Sequence, residues 1–162
     1  MIAREHGWAE FISIQNHYNL IYREEEREMM QLLEEEKIVM TPYSVFAAGR
    51  LSCFPPNEDT LRFKDDPNSV FKYGHCEELD LPIIKRVKEV ADKMKISMSL
   101  VALAWIYTKP LVVSPVLGFT KIFHLEEAMK VFNVKLADED IKYLEELYVP
   151  HPTIGALQKP KK

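Results

Sequence analysis

The sequence predicts an α/β fold, and three observations carry that prediction. Short β-branched and apolar stretches at residues 11–15, 38–41 and 111–118 have the composition of buried strands. Between them run longer segments whose apolar residues recur every three or four positions, the spacing of one helical face. The first strand, a helix and the second strand then follow in the order of a βαβ unit. Buried parallel strands need neighbours on both edges, so three of them read as part of a larger sheet.

Taken in order, "MIAREHGW" is the last turn or two of a helix, closed by Gly7 in the left-handed conformation. "AEFISIQNHYNL" is a roughly alternating strand that turns polar at its end. Residues 24–36 read as a helix with Met29, Leu32 and Leu33 on one face and glutamates on the other; three glutamates sit at its start, where the helix dipole favours anions. The second strand is closed by Pro42. Residues 45–82 have little periodicity and are rich in Pro, Asn, Asp and Gly, which predicts a long functional loop. Ile83, Val87, Val90, Ala91 and Met94 form the stripe of a helix over 83–94, and Ser97 or Ser99 caps a second helix running to Tyr107. Pro110 forces an extended start to the third strand, which Pro115 interrupts. Two helices follow, with Leu125, Met129 and Phe132 on the face of one and Ile141, Leu144 and Tyr148 on that of the other. The tail, 150–162, is expected to lie extended over the surface, and the whole of 1–162 forms one domain.

Composition narrows the function. The 162 residues are 47% hydrophobic and 28% charged with a formal charge of -4, which fits an ordinary globular protein and gives no basic surface for nucleic acid. Cys53 and Cys76 have neither CxxC nor metal-ligand spacing, so neither a zinc site nor a disulfide framework is expected. The longest apolar run, "LVALAWIY", is too short to span a bilayer, and no apolar leader opens the chain. A cytoplasmic protein without a membrane partner is the expectation.

One stretch carries a chemical signal. In "SPVLGFTKIFHLEEAMK", Gly118 permits a tight turn after the last strand, Thr120 is placed to cap the next helix, and the free N–H groups of that helix start attract phosphate. Lys121 adds a positive charge beside them. The same three residues also suit an ordinary helix start.

The segments "ISIQNHYNLIYREEEREM", "VMTPYSVFAAGRL", "SLVALAWIYTKPLVVSPVLGFTKIFHLEEAMK" and "DIKYLEELYVPHP" together resemble the aldo-keto reductase superfamily, most closely its aryl-alcohol dehydrogenase-like oxidoreductases. The resemblance implies a (β/α)8 TIM barrel of which this chain is the C-terminal half, carrying strands 6 to 8 with their helices, since such a barrel needs roughly 250 residues. It implies NADPH or NADP+ as cofactor, and aldehydes, ketones or the matching alcohols as substrates. Carried over by motif, Gln15 holds the nicotinamide carboxamide and Tyr43 stacks on the nicotinamide ring. Ser44, Phe46, Gly49 and Arg50 run beside the pyrophosphate, Arg50 being equally suited to a surface salt bridge. Gly118 and Thr120 stand at the helix start that meets phosphate, Lys121 meets the 2'-phosphate that separates NADPH from NADH, His124 the adenosine end, and Glu127 the adenine. Ala128 stands where the family usually has Asn, and Val45, Phe46 and Ala48 also depart from its pattern.

The family's Asp, Tyr, Lys and His catalytic set has no counterpart under this alignment, so no catalytic residue is expected in this chain. His17 and Tyr18 do not fill that place, because adjacent residues of an extended segment point oppositely and His17 suits local packing. The function expected is therefore the C-terminal NADP(H)-binding portion of a reductase. Two other readings stand beside it: a non-catalytic nucleotide-binding relic, and an interaction protein pairing with itself or a complementary half-barrel through exposed sheet edges. Tyr22, Trp105 and the 45–82 segment are the apolar candidates for a substrate pocket.

Overall fold

The computed structural model describes residues 2–56, 72–73 and 76–152. The expected tail beyond 152 and the greater part of the 45–82 loop lie outside the described residues.

The chain opens with α1 (Ile2–His6), which ends at Gly7 with φ of +65°. Strands β1 (Ser13–Ile14) and β2 (Val39–Met40) pair in parallel, Ser13 opposite Val39 and Ile14 opposite Met40. Between them the expected single helix divides into a 3-10 turn (Glu24–Glu26) and α2 (Met29–Glu36). The later helices are α3 (Glu77–Met94), α4 (Met98–Tyr107), α5 (Ile122–Met129) and α6 (Asp138–Glu145).

The expectation of a partial (β/α)8 barrel carrying three strands is overturned. Among the described residues helix predominates, and the sheet is an open pair of short parallel strands. The third apolar stretch contributes only an isolated parallel bridge between Met40 and Val112. Met40 N donates to Leu111 O, Val113 N to Met40 O and Val116 N to Pro42 O, at 2.7, 3.1 and 2.7 Å. Pro115 has no N–H to donate, so the ladder lapses between the last two of these bonds.

Helix α3 begins six residues before the expected start and runs through Pro82. Burial overrides the proline: Asp80, Ile83, Ile84, Val87, Val90 and Ala91 form one continuous buried stripe. Glu77, Glu78 and Asp80 give it the acidic first turn that the dipole favours. Helix α4 is apolar on nearly every side and is accordingly buried from Leu100 through Ile106. Ser97 caps it, its hydroxyl accepting from Leu100 N at 3.2 Å. Helix α3 packs on α4 and α6, and α4 packs on α5.

Two helix ends depart from the usual glycine. Lys37 closes α2 with φ of 57°, and Lys95 closes α3 with φ of 56°, both exposed. Helix α5 starts at Ile122 with Lys121 as N-cap and no side-chain capping bond, so Thr120 does not cap it. Ala137 likewise leaves α6 uncapped, with Asp138 inside the first turn.

Candidate functional site

The residues singled out by sequence gather around two adjoining cavities. The larger, about 550 Å³, is walled by Leu100 and Leu103 of α4, by Phe46, Ala48, Gly49 and Ser52, and by the stretch from Gly118 through Lys121 with His124, Glu127 and Ala128. The smaller, about 240 Å³, is lined by Tyr43, Ser44, Val45, Phe46, Ala48, Val116, Leu117 and Gly118. Phe46, Ala48 and Gly118 belong to both, so the cavities share a wall.

Two predicted residues stay outside. Gln15 is exposed just beyond β1 and lines neither cavity. Arg50 is buried, and its Nη2 donates to Glu77 Oε1 at 2.6 Å, the salt-bridge alternative rather than the anion contact.

The large cavity combines an apolar wall with a cationic rim. Phe46 and Phe119, with ring centroids 6.4 Å apart, form part of the wall with Leu100 and Leu103. Lys121 makes no ion pair among the described residues, its Nζ lying 5.6 Å from the Phe123 ring. Beside it, the uncapped first turn of α5 leaves N–H groups available to an anion. The hydroxyls of Ser52, Ser99 and Thr120 and the carboxylate of Glu127 complete the polar set. That set suits a flat heteroaromatic group carrying phosphate: apolar walls for the ring, cations and N–H groups for the charge. Ser52, Leu103 and Phe119 were not singled out, since no local pattern distinguishes a cavity wall from a core face.

The turn supporting the small cavity is strained. Ser44, Ala47 and Ala48 all have positive φ, at 60, 49 and 56°, where non-glycine residues cost about 1–3 kcal/mol each. Beneath it lies a buried polar cluster. The Tyr73 hydroxyl lies 2.7 Å from His17 Nε2, 3.0 Å from Asn19 Nδ2 and 3.0 Å from Ser44 Oγ. Asn19 Nδ2 also donates to Ser44 O at 2.9 Å. The His17 ring stacks on Tyr22 at 4.2 Å and lies 5.3 Å from Tyr43. Burial, helped by the Lys72 charge, lowers the His17 pKa to about 3, so the imidazole is neutral. With Nε2 as acceptor, the phenol donates to His17 and accepts from Asn19 and Ser44, which uses its full capacity. Burial raises the Tyr73 pKa against the opposing bonds from Ser44 and Asn19.

A second buried histidine lies near the end of the described chain. His151 Nε2 faces Asp80 Oδ1 at 2.8 Å, and His151 Nδ1 faces Val149 O at 2.6 Å. The Val149 carbonyl accepts from Nδ1, and an ionised Asp80 favours a proton on Nε2 as well, although burial raises the Asp80 pKa too. Burial opposes a charged imidazole, but the bond and the charge of Asp80 outweigh it and raise the His151 pKa. Glu24 Oε1 accepts from His151 N and from the Tyr148 hydroxyl, fastening this segment to the 3-10 turn. Among the described residues no group of His, Cys, Asp and Glu could hold a metal ion, and no helix is long and apolar enough to cross a membrane.

Comparison with known proteins fixes the family. The model of the "Aldo/keto reductase family" matches residues 1–149. The chain belongs to the aldo/keto reductase family. An aldo-keto reductase of Fusarium vanettenii is 38% identical over 155 residues, 95% of this chain and 41% of that protein. A putative aryl-alcohol dehydrogenase of Schizosaccharomyces pombe is 40% identical over 96% of this chain and 43% of its own length. Versiconal hemiacetal acetate reductase of Aspergillus parasiticus is 42% identical over 93% and 45%. A glycerol dehydrogenase from Gluconobacter oxydans shares the fold with a TM-score of 0.72 at 24% identity, over 95% of this chain and 48% of that one.

These matches correct the expectation of a C-terminal half. The likeness to aldo/keto reductases extends over nearly the whole of this chain. The chain spans less than half the length of these curated relatives. Members of this family are NADP(H)-dependent enzymes, which bears on the cofactor of this chain.

Proposed function

We propose that this protein is an aldo/keto reductase-type oxidoreductase that interconverts aldehydes or ketones and the matching alcohols with NADP(H). The family match over residues 1–149 supports an enzyme of this kind in place of the expected lone NADP(H)-binding portion. The observation that carries the cofactor assignment is the convergence of Tyr43, Ser44, Phe46, Gly49, Gly118, Thr120, Lys121, His124 and Glu127 on two cavities with a common wall.

When bound, the cofactor would supply hydride to a carbonyl carbon, with a proton from water completing the alcohol, or would accept hydride from an alcohol whose proton leaves to water. The chain's own residues bind and orient. Lys121 and the first turn of α5 hold phosphate, Leu100, Leu103 and Phe46 exclude water from the adenine, and Glu127 accepts from its amino group. His124 meets the adenosine end, and Tyr43 offers its ring to the nicotinamide. Gln15 and Arg50 lie outside both cavities and are given no contact with the cofactor, Arg50 being paired with Glu77. Among the described residues none is assigned proton transfer: the Tyr73 phenol is buried and its hydrogen-bonding capacity is used. We also propose self-association through the outer edge of β1, beside which Phe11 and Ile12 are 86% and 80% exposed. A monomer by light scattering at high concentration would exclude it.

Calorimetric titration with NADPH and NADH tests the cofactor assignment. A hydrogen bond to a charged group contributes about 1.5–3 kcal/mol, so Lys121→Ala should weaken NADPH about tenfold to a hundredfold and leave NADH within about twofold. Absence of NADPH binding by the folded chain, or equal loss for both nucleotides, overturns it.

A further inference from the structure

We infer that Tyr73 is a positioning residue for the nicotinamide end of the site, its hydroxyl holding the strained Tyr43–Ser44 turn and the His17 ring that packs beside Tyr43. The inference rests on the cofactor reading above, in which Tyr43 meets the nicotinamide.

Ser44 occupies the left-handed region without being glycine, and such a conformation persists only where its surroundings hold it. Here it is held at two points, by Tyr73 at its hydroxyl and by Asn19 at its carbonyl oxygen. Asn19 is itself fixed, since its Oδ1 accepts from Ile21 N at 3.0 Å and its Nδ2 reaches the Tyr73 oxygen. The third bond of Tyr73 orients His17, whose backbone forms a parallel bridge with Tyr43. Tyr43 N donates to Asn16 O at 2.9 Å, which ties the same turn to the β1 side. Lys72, next to Tyr73 in the chain, lies 4.8 Å from the Tyr43 ring centroid. Tyr73 is 2% exposed and lines neither cavity, so it reaches the site only through Ser44 and His17. A buried phenol needs hydrogen-bond partners, and this one finds them on Ser44, Asn19 and His17, the residues that bear on the turn.

The test compares NADPH with adenosine 2',5'-bisphosphate, which has the adenine and its phosphates but no nicotinamide, on the full chain and its Tyr73→Phe variant. Phenylalanine keeps the ring and removes only the hydroxyl. NADPH should weaken about three- to tenfold, the range of one neutral hydrogen bond, while the bisphosphate stays within about twofold. NADPH affinity unchanged in the variant overturns the inference and leaves the cofactor reading intact. Equal weakening of both ligands means a general structural role and overturns it too. Failure of the unaltered chain to bind either ligand removes the cofactor reading and this inference with it. Ser44→Ala cuts the same link from the half-buried side, and should the phenylalanine variant fold poorly it must show the same ligand split or the inference fails. In the double variant the two losses should fall short of their sum, because the variants share the Tyr73–Ser44 bond; fully additive losses count against the link.

Discussion

His17 and His151 are both more than nine-tenths buried and both contact the ring of Tyr22, yet their pKa values are shifted in opposite directions. His17 meets a phenol hydroxyl and lies within reach of the Lys72 cation, so burial wins and the ring is neutral. His151 meets a backbone carbonyl and the Asp80 carboxylate, and the anion outweighs burial. Burial alone therefore does not decide a histidine's charge. Donors and cations around the ring keep it neutral, whereas acceptors and anions charge it.

The sharpest way to break the contrast is Asp80→Ala. Asp80 is fully buried, and removing one member of a buried ion pair costs about 3–5 kcal/mol. Urea unfolding at pH 6 should show a loss of that size; a loss below about 1 kcal/mol would mean that His151 is not charged in the folded state.

The pH dependence should differ in sign between the two sites. Between pH 6.5 and about 3 the unfolded chain protonates His17 and the folded chain does not, so this contribution is whole above 6.5 and falls with falling pH. Its slope is at most about 1.4 kcal/mol per pH unit. His151 behaves oppositely: its contribution is whole below 6.5 and is lost as pH rises through its raised pKa. His17→Gln should flatten the acid side of the stability profile relative to the unaltered chain, and His151→Ala the alkaline side. The groups facing them are Lys72, Tyr73, Tyr22 and Tyr43 for His17, and Asp80, Glu24, Tyr148 and Tyr22 for His151. Parallel profiles in both variants would refute the opposed shifts.

The smallest effect is expected at the ring the histidines have in common. Tyr22→Leu keeps apolar bulk but loses the stack on His17, worth about 1 kcal/mol beyond area. A thermal midpoint unchanged by it would show that the stack contributes nothing measurable.

Local chemistry made part of this readable from sequence. Ser97 caps α4, Gly7 ends α1, and the α3 stripe from Ile83 to Ala91 is buried, because caps, left-handed ends and helical spacing act over a few residues. The cavity candidates were readable by resemblance, since Gly118 through Glu127 lie on one short segment. What was missed depends on distance or on competition. The apolar stripe begins at Ile83, but buried Asp80 extends it backward, and α3 starts at Glu77 and runs through Pro82. Thr120 looked like a cap, but α5 starts one residue too late for it. Tyr73 joins His17 across 56 positions and His151 joins Asp80 across 71, and no local pattern records such pairs. His151 was placed on a surface tail for the same reason.

Lysines stand at the left-handed ends of α2 and α3, a backbone region that costs an L-residue roughly 1–2 kcal/mol and a glycine almost nothing. Their charge beside the last carbonyls returns some of this through the helix dipole. The protein thus holds reserve stability at two solvent-facing corners, and Lys37→Gly with Lys95→Gly would release it without altering a single residue that lines either cavity.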